Sequence, residues 1–185
     1  MDDAAILYRR YLEGENDALE ELVKMYNDSL IFYVNGFVNN ISVSEDIAAD
    51  TFVELIVKKN RFKNDYMFKT WLFKIARNNA IDHLRKQSKR QAKPIEDLEN
   101  ELSDKETLEN AMIKDEQSRQ LHNAMETMHN EYRNVLHLIY FEDMSYEAAA
   151  AVLGKNVKQI ANLVYRAKQA LKSILEKRGF IYENI

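Results

Sequence analysis

Apolar side chains recur at three- and four-residue spacing along most of the chain, which is the period of amphipathic helices. Asp2 to Glu13 predicts a short first helix, ended at Gly14. Asn16 or Asp17 stands where the cap of a second helix belongs. Leu19, Leu22, Val23, Tyr26, Leu30, Tyr33, Val34 and Phe37 mark that helix's apolar face. Ser44 is placed to cap a third, SEDIAADTFVELIVKK, with Ile47, Phe52, Leu55 and Ile56 on its apolar side. A fourth spans about Phe68 to Lys89. Periodicity then fails over KRQAKPIEDLENELSDKE, which holds the single proline and few large apolar residues, and resumes near Ile113. The expected fold class is all-α: two small helical domains joined by an acidic flexible linker, the second a helix-turn-helix. The expected boundaries are 1–90, a linker over 91–112, 113–178, and a tail at 179–185.

The helix-turn-helix rests on EYRNVLHLIYFEDMSYEAAAAVLGKNVKQIANLVYRAKQAL. Residues 131–142 predict an amphipathic helix. Ser145 caps the short YEAAAAVL, Gly154 stops it, and a longer helix follows from about Val157 to Leu175. Ile160, Leu163, Val164, Ala167, Leu171 and Ile174 form the buried stripe of that last helix. Lys158, Gln159, Asn162, Tyr165, Arg166 and Gln169 face the other way, and amides and cations on one face suit base edges or phosphates. The same pattern also describes an αα-hairpin with a wet outer surface.

Composition narrows the classes. With 185 residues, four glycines and one proline, strand and turn punctuation is scarce. Zero cysteines exclude disulfides and thiolate metal sites and fit a reducing, cytoplasmic setting. No apolar run approaches the roughly 20 residues a bilayer needs, and no export signal is read at the start of the chain. The net charge of −4 conceals segregation. Residues 1–57 carry 12 acidic and 3 basic side chains, and 58–93 carry 2 and 12. Residues 94–131 carry 11 and 3, and 155–178 carry 1 and 7. Two basic blocks separated by acidic ones fit two contacts with a polyanion, or solvated faces on each side.

The first basic block contains FKTWLFKIARNNAIDHLRK, which holds the only tryptophan and five cations within residues 68–86. At about 100° per residue, Phe68, Leu72 and Ile75 centre on one buried face. Trp71, Lys74, Asn78 and Arg85 share a strip along its edge, with Arg77 farther round. An aromatic ring, cations and an amide in one strip suit an unstacked, single-stranded nucleic acid. A core tryptophan ringed by exposed cations is the other reading.

The chain resembles a bacterial RNA polymerase sigma factor of the extracytoplasmic-function group. SEDIAADTFVELI, then RF, then FKTWLFKIARNNAIDHLRK stand in that family's order and spacing, followed by the helix-turn-helix ending YRAKQAL. The likeness covers about residues 5–178. It implies a transcription initiation factor, not an enzyme, that directs core polymerase to promoters. It implies that Asp46, Asp50 and Glu54, at four-residue steps on one helix, dock on the coiled coil of the largest polymerase subunit, with the flap as a second contact. Such a stripe is also what a plain solvated helix face looks like. The resemblance assigns Phe62, Phe68, Trp71, Lys74, Arg77, Asn78 and Arg85 to minus-ten reading and melting. It assigns Lys158, Gln159, Asn162, Arg166 and Lys168 to the minus-thirty-five element.

The chain departs from the family where many members carry lysine, serine and arginine. Ala161, Asn162 and Leu163 stand there, and the bases read by this helix are left open. The linker is implied to lie in the RNA exit path, or to be an ordinary tether.

No Walker loop, metal-ligand spacing among the four histidines or nucleophile motif appears, so no catalysis and no cofactor are expected. Two rival classes are a helix-turn-helix regulator that works without core polymerase, and a protein that mimics a sigma factor to titrate a partner. The group's members are usually held by a separate anti-sigma protein, and a monomer is expected in its absence. The charge alternation raises a further expectation: in the free chain the two domains pack basic on acidic and mask their DNA faces.

Overall fold

A computed structural model describes residues 3–57, 68–91 and 116–179, and among these every regular element is helical. The first domain consists of α1 (Asp3–Leu12), α2 (Asn16–Val38), α3 (Ile41–Val57) and α4 (Phe68–Gln91). The second consists of α5 (Glu116–Glu126), α6 (Asn130–Leu136) continuing into a π-helical turn (His137–Phe141), α7 (Tyr146–Leu153) and α8 (Val157–Lys177). Most of the linker expected over 91–112, the tail beyond Gly179, and Phe62 lie outside the described residues.

The predicted stripe of α2 is the spine of the first domain. Leu22, Tyr26, Leu30, Tyr33, Val34 and Phe37 are buried, against Leu55 of α3 and Phe68, Leu72 and Phe73 of α4. Each such side chain contributes roughly 1.5–3 kcal/mol when fully removed from water. The Tyr8 hydroxyl donates to the Leu55 carbonyl at 3.2 Å, which ties α1 to the C-terminal part of α3. Burial pushes that hydroxyl's pKa up to about 12, with the neighbouring Tyr11 adding to the rise.

Ser44 is not the cap expected of it. Helix α3 begins earlier, and Asn40 caps it by accepting from the Val43 amide at 3.2 Å. Ser44 is fully buried inside the helix, its hydroxyl donating to the Asn40 carbonyl at 2.8 Å. Thr51 bonds back to the Ile47 carbonyl in the same way, at 2.8 Å. The second helix begins at Asn16, and its cap position is Glu15, whose side chain makes no capping bond.

Ser145 and Gly154 bound α7 as the sequence predicts. Ser145 accepts from Ala148, and Gly154 takes left-handed backbone at φ 66° to end α7. Asn156 and Gln159 form a reciprocal capping box at the start of α8. The helix expected over 131–142 is α-helical only to Leu136. From His137 it widens, with the Glu142 amide donating to the His137 carbonyl five residues back at 3.1 Å.

The two domains share a seam in which α2 meets α6 and α4 meets α7. Phe32 of α2 stacks on His137 at 4.9 Å and lies 4.6 Å from the His122 ring of α5. Arg133, 3% exposed, reaches the C-terminal end of α2, donating to the Asn35 carbonyl and the Asn39 side chain, both at 3.4 Å. That end of a helix carries partial negative charge and favours a cation. Glu142 is 6% exposed and accepts from Ser29 of α2 and from Lys69 of α4, the latter at 3.2 Å. Lys69 also donates to the Glu142 carbonyl at 2.8 Å. Burial alone would raise the Glu142 carboxyl. Hydrogen bonds from His137 and Ser29, together with the electrostatic influence of His137 and Lys69, outweigh it and bring the group down to about 2.

Candidate functional site

Three surfaces hold the residues singled out in the sequence. The first is the exposed side of α3. Asp46 and Asp50 are exposed and Glu54 is partly so, which puts the three acids in one line along the helix. A groove of about 390 Å³ runs beside them, lined by Asp50, Val53, Glu54 and Val57 of α3 and by Asp82 and Lys86 of α4. Val53 is 55% and Val57 77% exposed, so two apolar knobs stand among the acids. The sequence carried a signal for them: both valines fall outside the helix's buried stripe of Ile47, Phe52 and Leu55. Acidic side chains around a small apolar centre are chemically suited to a basic surface, since apolar contact supplies affinity and charged rims supply orientation.

The second surface is α4. Lys74, Asn78 and Arg85 are exposed along one strip, as the wheel predicts, and Arg85 pairs with Asp82 at 3.3 Å. Arg77 is partly buried and turns toward the seam, where it lines a small cavity with Phe37, Ile81, Leu153, Lys155 and Leu163. Two of the expected residues sit elsewhere. Phe68 is wholly buried, packed by Tyr8 at 5.1 Å and Tyr26 at 6.3 Å, and presents no face to a ligand. Its apolar ring is worth more in the core than in water, so it anchors the first turn of α4 instead. Trp71 is partly buried, with its ring 5.7 Å from Tyr8 and 6.0 Å from Phe68. The indole closes this aromatic cluster and leaves only part of its surface to the strip.

The third surface is α8. Ile160, Leu163, Val164 and Ala167 are buried, while Lys158, Gln159, Asn162, Tyr165, Arg166 and Lys168 are exposed. Gln159 is folded back, its carbonyl accepting from the Asn156 amide at 2.8 Å. Its first task is to cap the helix. Lys168 lies over the Tyr140 ring at 5.6 Å, which leaves its ammonium at the edge of the outer face. Leu163 is 8% exposed and packs into the seam. The position at which the family often has a cation is therefore part of a core here.

Lys69 belongs to the first basic block and Arg133 to none of the charged runs, and neither stands out in the sequence as a tie between domains. Their partners, Glu142, Asn35 and Asn39, lie in the opposite domain, far away in the chain. Only the fold reveals that they hold domains together.

Residues 22–90 match the family described as Sigma-70 region 2, and residues 118–171 match Sigma-70, region 4. The RNA polymerase sigma-H factor of Pseudomonas aeruginosa is 29% identical over 178 residues, covering 92% of each chain. The ECF RNA polymerase sigma factor SigW of Bacillus subtilis is 27% identical over 176 residues, covering 88% of this chain and 91% of that one. In fold, the chain is similar to the sigma factor RpoE solved in complex with the anti-sigma factor NepR from Bartonella quintana. That match has a TM-score of 0.70 at 22% identity, over 85% of this chain and 96% of the other.

Proposed function

The chain belongs to the bacterial RNA polymerase sigma factors, in their extracytoplasmic-function group, and from that premise we propose how its surfaces divide the work of initiation. It is a transcription initiation factor that binds core polymerase and directs it to specific promoters; it is not an enzyme. The observation that carries the division is the separation of charge within the first domain. The acidic face of α3 and the cationic strip of α4 lie on separate, neighbouring helices. One domain can then hold a basic protein and a nucleic acid at once.

Asp46, Asp50 and Glu54, with Val53 and Val57 between them, dock on the largest-subunit coiled coil. Lys74, Asn78 and Arg85 hold the minus-ten segment, and Phe62, outside the described residues, is assigned to the same contact. Arg77 joins them only once the seam that partly buries it has opened. Lys158, Asn162, Arg166 and Lys168 meet the minus-thirty-five duplex, with Gln159 setting the start of the helix they stand on. In this division, residues 1–90 form the polymerase and melting unit and 113–178 the upstream unit. The acidic linker between them sits near the RNA path. The solved relative in complex with an anti-sigma factor supports an inhibitor of that kind as a partner for this chain. No described helix is long and apolar enough to cross a membrane, and work with the polymerase places the protein in the cytoplasm.

The test is run-off transcription with purified core polymerase on a library of promoter fragments, with and without the chain. Transcripts from a defined subset of fragments, present only with the chain, are the expected result. Intact core binding with no transcripts would mark it as a mimic that titrates polymerase. Loss of core binding as well would make it a free-standing regulator.

Arg166→Ala tests the upstream surface separately. If Arg166 neutralises one phosphate, the slope of log K against log salt falls by roughly one, and binding weakens about equally on all sequences. An unchanged slope in a mobility-shift titration removes Arg166 from the interface.

A further inference from the structure

Helix α8 turns a mixed face outward. At about 100° per residue, Ala161, Tyr165, Lys158 and Asn162 fall in that order within an arc of about 100°. Lys168 flanks the arc on the Ala161 side, and Arg166 flanks it on the Asn162 side. All six are exposed, Tyr165 by 67%. The charge alternation suggested that the first domain would cover this face. The six residues instead stay exposed, and α8 packs on α5, α6 and α7.

A major groove is about 12 Å wide, close to the diameter of a helix with its side chains. With the arc turned into such a groove, its two edges meet the phosphate strands and its middle meets base edges. The flanking cations suit the strands and carry no sequence information. Sequence must then be read by the arc itself.

Ala161 has no polar side-chain atom. Opposite guanine or cytosine it would strip water from a donor or acceptor and return no hydrogen bond. The one apolar group displayed in the major groove is the 5-methyl of thymine, which an alanine methyl can touch. Asn162, one residue on, offers a donor beside an acceptor, the complement of N6 and N7 of adenine. The Gln159 amide is committed to the cap, whereas that of Asn162 has no hydrogen-bond partner among the described residues. Leu163 is in the core and adds no contact that would favour guanine.

We propose that α8 reads its upstream element through A·T pairs, with Ala161 resting on a thymine methyl and Asn162 pairing with the edge of a nearby adenine. This answers, for this chain, which bases the helix meets. It rests on the promoter-directing function proposed above and deepens it.

Holoenzyme assembled from the full chain and core polymerase is used to select duplexes from a promoter library randomised in the upstream element. Selection is expected to fix A·T pairs at two nearby positions. In a selected duplex, uracil in place of thymine removes only the methyl group. At one position, and at fixed salt, that change is expected to weaken binding about fourfold, the worth of one buried methyl. The loss should vanish in Ala161→Gly, which has no methyl to offer. Asn162→Ala is expected to reduce the preference for the fixed adenine at least about fivefold. It should also make the complex indifferent to 7-deazaadenine there, which lacks the N7 acceptor. Both substitutions are at exposed positions, and circular dichroism checks that the helices are retained.

Selection of G·C pairs at these positions overturns the proposal. So does full affinity for uracil at every position: with A·T pairs still selected, the helix would be reading duplex shape instead. Either result leaves the initiation function standing, because the holoenzyme would still select and transcribe promoters. A holoenzyme that selects no fragment and makes no transcript refutes the function and the base reading together.

Discussion

Trp71→Ala is expected to destabilise the first domain by about 3 kcal/mol, the lower end of the range for removing a large aromatic, because the ring is only partly buried. For a chain of this size that is a fall of roughly 6–12 °C in its melting temperature. The cause lies in the cluster that the indole closes. Tyr8, Phe68 and Trp71 meet pairwise at 5.1, 5.7 and 6.0 Å, and this contact joins α1 to the first turn of α4. Alanine there leaves Tyr8 and Phe68 facing a void too well walled to collapse fully. Trp71→Phe keeps a ring in the cluster and is expected to recover most of the loss. Calorimetry on both variants checks this, and promoter opening in the phenylalanine protein gives the second readout. A folded Trp71→Phe protein with near-normal opening makes the tryptophan a structural post for the strip of Lys74, Asn78 and Arg85. A folded one that binds promoters but fails to open them would return the ring to the melted strand.

That residue shows where a sequence stops being legible. Caps, stops and apolar stripes are local, so the helix-turn-helix could be placed from Ser145, Gly154 and the period of Ile160 to Ala167. Ser44 was misplaced because Asn40, four residues earlier, is an equally good cap and the helix takes the first one offered. The wheel set Trp71 at the edge of the buried face, which is correct, but its partner Tyr8 comes from another helix that no local pattern identifies. The same limit hid the seam. Lys69 counted as one cation of the first basic block and Arg133 fell outside every charged run, yet their partners lie across the domain boundary. Two signals were present and unread. Asn156 followed three residues later by Gln159 is the spacing of a capping box, which already gave Gln159 a structural task. A glycine interrupting the regular stripe of α2 marks a close approach by something.

The acidic face of α3 should respond to charge as a unit. Single neutralisations such as Asp46→Asn are expected to weaken core polymerase binding by less than about fivefold, since exposed ion pairs are each worth little. Reversing all three, Asp46→Lys with Asp50→Lys and Glu54→Lys, replaces attraction with like-charge repulsion along the whole stripe. That costs several kcal/mol and is expected to weaken binding by at least about 100-fold. The fold should survive, because Asp46 and Asp50 are exposed and Glu54 is only partly buried, whereas the core of the helix is made by Ile47, Phe52 and Leu55. Val53→Ser with Val57→Ser removes the apolar knobs instead and keeps the charge. Both sets reduce affinity if the surface works as a rim and a centre. They differ in salt response: the lysine variant should bind better as salt screens the repulsion, the reverse of the wild-type trend, and the serine variant should keep that trend. Titration of labelled protein with core polymerase at two ionic strengths reads this directly. If the lysine variant bound core polymerase normally, the three acids would be a solvated helix face. The polymerase contact would then have to be sought on another surface of the domain.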